Sequence, residues 1–239
     1  MALAGGGTGG HVQPGLHLLA HAQAQGLDLA DVLWFQTGRG VEERAFGGFE
    51  ERVPWPVERV SLRLEPEGGG APGLARLARC TLPAVLAARR ALARHGSDVL
   101  LGLGGFTCLP AVLAARSLGI PVALLEINAV AGRATRWLAP LAARVLHAWP
   151  PARPSTRHVF TGPPLGPEFA LPPPAAAAAR RALGFPEHIP LVLVLGGSQG
   201  AQSLNRFCRE HAATLCGPAA AGDKTQHRAR DMADPFRKG

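Results

Sequence analysis

Residues 2–19 read ALAGGGTGGHVQPGLHLL and contain the first unit of a pattern that repeats along the chain. A short apolar segment at Leu3-Ala4 runs into glycines, and a helical pattern follows from about Pro14 to Gln25. Glycine permits a tight turn and close approach of a ligand, and the N-terminus of the next helix offers N–H donors to an anion. The stretch therefore predicts the first strand, loop and helix of an α/β fold, with an anion-binding loop between them.

The same order of strand, loop and helix repeats along the chain. Residues 32–35 are a continuous apolar run, which is typical of a buried parallel strand, and further strands are predicted at 98–101, 121–125 and 144–148. Helical patterns lie at 40–47, 73–95, 109–118 and 133–141, whereas residues 48–73 are irregular. We therefore expect an α/β fold with a doubly wound, Rossmann-like parallel sheet over residues 1–161.

A proline-rich stretch then interrupts the alternation. Residues 162–174 carry six prolines, and we interpret them as an interdomain linker because proline holds the chain extended. Residues 175–211 predict the start of a second Rossmann-like domain, with a buried strand over 191–195. Residues 212–239 are small, polar and basic. We expect the second domain to be incomplete and this tail to be disordered, because one strand and one helix cannot bury a sheet.

Composition narrows the classes of function. The 239 residues include 25 Lys+Arg and 17 Asp+Glu, a net charge of +8, and 47% are hydrophobic, which excludes a charged, disordered chain. Four cysteines without C-x-x-C spacing disfavour a disulfide framework or a zinc site and favour a reducing cytoplasm. No apolar run is long enough to span a bilayer, and the first residues do not resemble a signal peptide.

The positive charge favours an anionic partner, with nucleic acid, an anionic membrane surface and a phosphorylated substrate as the alternatives. The chain has no Tyr, and its nine Phe show no aromatic-basic pattern, which argues against RNA.

Three glycine loops follow predicted strands and precede predicted helices, at 5–11, 102–105 and 196–200. Each could cradle a phosphate or diphosphate, or could only form a tight turn. Dense glycine and a hydroxyl residue, Thr8 or Ser198, favour ligand binding in the first and third loops. For the second loop both interpretations remain open.

The first loop also satisfies G-x-G-x-x-G through Gly5, Gly7 and Gly10. A dinucleotide site requires an acidic residue after the second strand, and Gln36-Thr37-Gly38 stand there instead. An NAD site is therefore disfavoured, and the absence of G-x-x-x-x-G-K-[ST] excludes a P-loop.

Three polar residues accompany the loops. His11 begins the first helix, where the helix dipole disfavours the imidazolium, so a neutral ring could accept a hydroxyl proton or could simply hydrogen-bond the loop. Glu126 follows a strand and could orient a substrate hydroxyl, pair with His11 or be a solvated carboxylate. Asn128 suits sugar or amide recognition, or a turn.

The helical pattern over 73–95 combines leucines with arginines, among them Leu82, Leu86, Arg89 and Arg90. Such a helix could dock on an anionic membrane surface. Alternatively, its leucines could face the core and its arginines water, and the pattern alone favours this second interpretation.

Three stretches together resemble one family. They are GGTGGHVQPGLHLL at 6–19, LGLGGFTCLPAVLAARSLGIPVALLEINAVAGRATRWLAPLAARV at 101–145 and LVLVLGGSQGAQSLN at 191–205. In order and spacing they resemble the MurG family of bacterial cell-wall glycosyltransferases, over about residues 3–206.

The resemblance implies a GT-B fold, in which two Rossmann-like domains face each other across a cleft. It implies an inverting transfer, without metal or cofactor, of GlcNAc from UDP-GlcNAc to the C4 hydroxyl of undecaprenyl-pyrophosphoryl-MurNAc-pentapeptide. This is the lipid I to lipid II step of peptidoglycan synthesis, on which cell shape and division depend. The N-domain would bind the lipid-linked acceptor as a peripheral protein at the cytoplasmic face of the membrane, and no nucleic acid partner is implied.

The resemblance also assigns residues. His11 would be the general base, with Glu126 beside it in the catalytic set. The residues expected to bind substrate are Thr8, Gly9, Gly10, Gly104, Gly105, Asn128, Ser198, Gln199 and Gly200, the last three at the UDP phosphates. The helix from Gly73 becomes the expected membrane-docking face.

The sequence departs from the family pattern in several places. Leu125-Glu126-Ile127-Asn128 replaces H-E-Q-N, Phe106 replaces an aromatic hydroxyl, and Gly166 replaces an arginine expected to meet donor phosphate. The uracil-binding loop, the ribose-binding glutamate and the returning C-terminal helix have no counterpart in 212–239. We therefore expect weak or no turnover from this chain alone. The alternatives are a non-catalytic acceptor-binding and membrane-docking module that needs a separate donor-binding chain, and a nucleotide-dependent oxidoreductase, which the missing acidic residue disfavours.

Overall fold

The computed structural model describes most of the first 166 residues and parts of the remainder. The described residues are 1–7, 9–49, 53–62, 64, 74–166, 169, 171–186, 191–192, 194–196, 201–212 and 214, with the backbone alone over 74–80. The chain divides into two compact units, residues 1–173 and 174–239.

The first unit is built on one parallel sheet. Its described strands are β1 (Ala2–Gly5), β2 (Val32–Gln36), β3 (Val57–Ser61), β4 (Leu100–Gly104), β5 (Val122–Glu126), β6 (Arg144–His147) and β7 (His158–Phe160). Its helices are α1 (Gly9–Ala24), α2 (Gly40–Phe46), α3 (Leu74–His95), α4 (Cys108–Ser117) and α5 (Arg133–Leu138), followed by a 3-10 turn at Ala139–Leu141. The strands pair in parallel in the order β3-β2-β1-β4-β5-β6-β7. The predicted Rossmann-like α/β sheet is confirmed.

A hydrophobic core lies on each face of this sheet, because successive side chains of a strand point to opposite faces. Leu33 and Phe35 of β2 belong to the core that packs against α3 and α4. Val32 and Trp34 belong to the other core, which packs against α1 and α2. Burial on both faces explains why these strands read as continuous apolar runs.

The edge strands β3 and β7 were not predicted. The β3 sequence VERVS has only two apolar residues, separated by two charged ones, and its side chains are half-buried or exposed. β7 has only three residues, and two of them are exposed. An edge strand buries less apolar surface, so its sequence lacks the signal that marked the inner strands.

The start of α1 also differs from prediction. The helix begins at Gly9, five residues before Pro14. Gly9 and Gly10 therefore form its first turn, where N–H groups have no partner within the helix. This start places His11 in the first turn as well.

In the second unit, α6 spans Ala176–Ala182 and α7 spans Gln202–Glu210. The predicted buried strand over 191–195 is wrong for its described residues, which form no strand, and Leu195 is 76% exposed. An apolar run becomes a buried strand only beside partner strands, and no described residue of this unit supplies one. The tail expected to be disordered, 212–239, lies outside the described residues except for 212 and 214.

The first part of the predicted linker is bound to the first unit. His17 Nδ1 lies 3.0 Å from the carbonyl oxygen of Pro164, and His21 Nε2 lies 2.6 Å from that of Leu165. Both histidines are on α1, so two successive carbonyl groups of the proline-rich segment are held against this helix. The predicted domain boundaries themselves stay a prediction.

Over the part of the chain that the structure describes, every helix is too short or too polar to traverse a bilayer.

Candidate functional site

The candidate site lies where the direction of the sheet order reverses. β1 and β4 are neighbours, with Gly5 paired to Gly104. The helices that follow them, α1 and α4, pack on opposite faces of the sheet. Such a switch point opens a crevice at the carboxyl ends of the strands, and ligands of open α/β sheets bind there.

His11 fills part of this crevice, and the second glycine loop is shaped around its ring. Gly104 and Gly105 have φ angles of +104° and +80°, a region that favours glycine. A Cβ atom on Gly104 would lie 2.7 Å from His11 Cδ2, and one on Gly105 would lie 3.3 Å from Nδ1. The glycines of the second loop therefore make room for the histidine that follows the first.

The environment of His11 favours the neutral ring. Burial lowers its pKa below the ordinary value, while a hydrogen bond to the Gly6 carbonyl and the charge of Glu126 oppose this shift. The sequence predicted a neutral ring because of the helix dipole, whereas burial is the main cause in the structure. A neutral imidazole can accept a proton at the nitrogen that carries no hydrogen.

Glu126 is 3% exposed at the end of β5, and its carboxylate organises the loop that follows. Oε1 accepts hydrogen bonds from the main-chain N–H of Asn128 at 2.9 Å and from its Nδ2 at 2.8 Å. Oε2 accepts the N–H of Gly132 at 2.8 Å. Burial alone would raise the pKa of Glu126, but hydrogen bonds from Thr135, Asn128 and Gly132 lower it, so the group is ionised.

These contacts change the meaning of two predicted residues. Glu126 is not a solvated carboxylate at a strand end, because its oxygens bind the loop. The Asn128 side chain is exposed, and its Nδ2 faces Glu126, which directs Oδ1 away from the carboxylate. Glu126 thus fixes the orientation of a neighbouring hydrogen-bond acceptor at the sheet edge.

A second buried carboxylate, Glu42, was not singled out from the sequence. Its Oε1 accepts the N–H groups of Gly7 at 2.6 Å and Thr37 at 3.0 Å, and the Thr37 hydroxyl at 2.9 Å. Its Oε2 accepts the N–H groups of Gly38 at 2.7 Å and Arg39 at 2.8 Å. Burial would raise the pKa of Glu42, but these hydrogen bonds lower it.

Glu42 also bears on the dinucleotide interpretation. The N–H groups after β2, together with that of Gly7 in the G-x-G-x-x-G pattern, are bound to the protein's own carboxylate. These N–H groups are therefore already bonded within the protein, which is a further argument against a dinucleotide site here. A glutamate three residues after the helix-capping position Arg39 is the sequence signal that could have identified it.

Cys108 lies beneath the second loop, at the start of α4. Its Sγ accepts the N–H of Gly104 at 3.0 Å and lies 3.1 Å from the Ala4 carbonyl oxygen. Burial raises the pKa of this thiol to about 12, so it stays protonated and can donate. Because the Gly104 N–H is directed at Sγ, Gly105 is the better candidate of the two for an outward main-chain contact.

The structure thus brings together most of the predicted site residues of the first unit. Those at the carboxyl edge of the sheet are Gly9, Gly10, His11, Gly104, Gly105, Glu126 and Asn128. Thr8, Ser198, Gln199 and Gly200 lie outside the described residues. Within the described ranges, no three His, Cys, Asp or Glu side chains group closely enough to hold a metal ion.

Comparison with known proteins agrees with this architecture. Residues 1–147 match the glycosyltransferase family 28 N-terminal domain. The chain is 39% identical over 223 residues to the UDP-N-acetylglucosamine--N-acetylmuramyl-(pentapeptide) pyrophosphoryl-undecaprenol N-acetylglucosamine transferase of Halorhodospira halophila, covering 91% of this chain and 57% of that protein. The protein of the same name from Sorangium cellulosum is 40% identical over 210 residues, covering 85% of this chain and 48% of its own length.

A solved structure supports the same assignment. The crystal structure of MurG from Acinetobacter baumannii matches with a TM-score of 0.52 and 31% identity, over 67% of this chain and 44% of that one. The predicted fold class, α/β of GT-B type, is confirmed. The chain spans about half the length of the curated relatives it matches. With its order of glycine loops and a family match over more than half its length, the chain belongs to the MurG family of glycosyltransferase family 28.

Proposed function

We propose that this chain takes part in peptidoglycan synthesis as a UDP-GlcNAc-dependent N-acetylglucosaminyltransferase that converts lipid I to lipid II. The first unit would bind the lipid-linked acceptor, and Ser198, Gln199 and Gly200 of the second would bind the phosphates of UDP. The activity for which the relatives are named supports the reaction class, and the crevice between β1 and β4 supports the acceptor site.

One observation carries the proposal: the His11 ring, in the first turn of α1, packs against Gly104 and Gly105 of the second glycine loop, where burial lowers its pKa. The N–H groups of Gly9, Gly10 and Gly105 would receive the acceptor diphosphate. His11 would then take the proton from the C4 hydroxyl as its oxygen attacks the anomeric carbon of GlcNAc. The bond from that carbon to UDP breaks, and UDP leaves with the bonding electron pair.

Glu126 contributes through its neighbours in this scheme. Its negative charge favours the imidazolium that forms as His11 accepts the proton. Through the Asn128 side chain it would also present Oδ1 to the donor sugar. We therefore keep Glu126 in the catalytic set as a positioning residue and assign the contact with sugar to Asn128.

The α3 helix supports a peripheral position at the cytoplasmic face of the membrane. Its Ala84, Ala88 and Leu92 are buried, whereas Leu82 is 63% and Leu86 is 45% exposed. The interpretation that the leucines face the core therefore fails for these two. Exposed leucines one turn apart, with the exposed Arg90 one turn further, suit an anionic lipid surface.

The direct test combines the purified chain, UDP-GlcNAc and a water-soluble lipid I analogue, with the disaccharide product measured by mass spectrometry and each ligand titrated by calorimetry. We expect acceptor binding by the wild type and by His11→Asn. Wild-type turnover is expected to be weak at most, and His11→Asn should abolish whatever turnover the wild type shows. His17→Asn, on the same helix but at the linker, is the matched control and should behave as wild type.

The outcomes separate the alternatives. Acceptor binding without UDP-GlcNAc binding supports the non-catalytic module that needs a separate donor-binding chain. Turnover that survives His11→Asn would exclude His11 as the base, and absence of acceptor binding would contradict the proposal as a whole. For the membrane part, Leu82→Asn with Leu86→Asn should reduce co-sedimentation with phosphatidylglycerol vesicles, and unchanged co-sedimentation would contradict it.

A further inference from the structure

Two side chains that follow β2 hold one residue of the first glycine loop: Arg39, at the N-cap of α2, and Glu42, in the first turn of that helix. The N–H of Gly7 donates to Glu42 Oε1 at 2.6 Å, and its carbonyl oxygen accepts from Arg39 Nη1 at 3.3 Å. Gly7 has a φ of +90°. A glycine-rich loop can adopt many conformations, and these two hydrogen bonds hold it in this one.

The neighbouring glycine shows how closely the carboxylate is fitted. A Cβ atom on Gly6 would overlap Glu42 Oε1 and lie 2.9 Å from the main-chain nitrogen of Thr37. The Glu42 carboxylate has five donors around it and is 0% exposed. Because its acceptor positions are taken by protein donors and it is out of contact with water, it forms part of the structure of the loop.

We propose that Glu42 is a positioning residue that holds the first glycine loop, through Gly7, in the conformation that receives a diphosphate at the N-terminus of α1. Gly7 lies two residues before Gly9, the first residue of that helix. A loop already ordered in the free protein does not lose its conformational freedom on binding, so its affinity for the anion is higher. The inference rests on the proposed function only in taking a diphosphate as the ligand.

The negative charge of Glu42 explains why this side chain holds the loop strongly. A carboxylate accepting several N–H groups is a strong, charge-assisted anchor. Its negative charge also lies beside a loop meant for an anion, and burial among donors that neutralise it makes this tolerable. Glutamine would keep the size of the side chain but would direct an NH₂ group at two of the N–H donors.

The test titrates the full chain with inorganic pyrophosphate and follows main-chain amide signals of Gly7, Gly9 and Gly10 by NMR. We expect wild type to show saturable shifts at Gly9 and Gly10. Glu42→Gln should weaken the apparent affinity about tenfold and speed hydrogen exchange at Gly7. Glu42→Asp keeps the charge and should recover part of the affinity, which a purely steric change would not do.

Glu43→Gln is the matched control, because it removes one negative charge from the same helix. Glu43 pairs with Arg59 at the surface and does not contact the first glycine loop through this pair. It should bind as wild type. If Glu42→Gln fails to fold, Arg39→Gln removes the second grip on Gly7 and should weaken affinity about threefold.

The proposal is overturned if wild type does not bind pyrophosphate at this loop, or if a folded Glu42→Gln binds as tightly as wild type. A Glu42-dependent pyrophosphate site in a chain that does not bind the lipid I analogue would contradict the proposed function and leave this inference standing.

Discussion

Two buried glutamates, Glu42 and Glu126, both accept hydrogen bonds from main-chain loops, on opposite sides of the β1–β4 strand pair. Each is almost fully buried, each accepts main-chain N–H groups of a loop at the carboxyl edge, and each has a pKa below the ordinary value. Glu126 binds the loop that follows it directly in sequence, whereas Glu42 reaches Gly7, 35 residues away. A buried carboxylate near a suspected active site can therefore be a permanent ligand of the backbone rather than an acid or base.

The two sides differ in how tightly the glutamate is enclosed. Glu42 has five donors and touches the space where a Gly6 side chain would be. The carboxylate of Glu126 leaves more room, since a Cβ atom on Gly132 would lie 3.7 Å from Oε2, an ordinary contact. We therefore expect the Glu42 side to be the less tolerant of change.

The largest expected effect is from glutamine at the two positions. Glu42→Gln should lower the free energy of unfolding by about 3 kcal/mol and Glu126→Gln by about 2 kcal/mol, because buried N–H donors lose their acceptor. Urea unfolding followed by circular dichroism would measure both. Equal losses would contradict the difference in enclosure.

The next comparison adds a methyl group beside each carboxylate. Gly6→Ala should cost about 2 kcal/mol, because the carboxylate it meets is locked and the Thr37 nitrogen is main chain. Gly132→Ala should cost less than about 0.5 kcal/mol, since Gly132 has a φ of −65° and the space is open. The same unfolding measurement applies, and a costly Gly132→Ala would show that this loop is tighter than its contacts indicate.

Lowering the pH should reduce the stability that Glu42 and Glu126 each contribute to the fold. A carboxyl group whose pKa is lowered by folding adds stability above its ordinary value of 4.5, and that stability is lost as the pH falls through the folded value. We expect the unfolding free energy of wild type to fall below about pH 4.5, and the slope to be shallower in Glu42→Gln and Glu126→Gln. Unchanged slopes would mean that neither group is held ionised by its donors.

The smallest effect is expected at the surface. Glu43 and Arg59 form a pair at 2.9 Å with partly exposed side chains. Glu43→Gln should change the free energy of unfolding by less than about 0.5 kcal/mol, because water and salt screen such a pair. A larger loss would show that α2 as a whole, rather than Glu42, stabilises the first glycine loop.

Sequence reasoning recovered the parts of the molecule whose signal is local. The inner strands were predicted from apolar runs that burial on both faces requires, and the order of glycine loops gave the family. The edge strand β3 was missed because its VERVS sequence is half solvated. The run at 191–195 was wrongly predicted as a buried strand. Its hydrophobicity favours burial, but a strand is buried only where neighbouring strands and helices pack against it.

At the candidate site the division is similar. His11, Glu126 and Asn128 were found because they follow loops and strands that can be recognised in the sequence. The contact of His11 with Gly104 and Gly105 needed the tertiary structure, since it joins loops about 90 residues apart. Glu42 was missed for the same reason, and its capping position on α2 was the only local signal.

The reactivity of the Cys108 thiol can be used to measure how often the second glycine loop opens. Because the protonated sulfur is sealed between the Ala4 carbonyl and the Gly104 N–H, an alkylating reagent can reach it only while the loop is transiently displaced. The rate at which this sulfur is alkylated, measured by peptide mass spectrometry, would therefore report how often the second glycine loop opens. A slower rate in the presence of a ligand would show that the ligand keeps the loop closed.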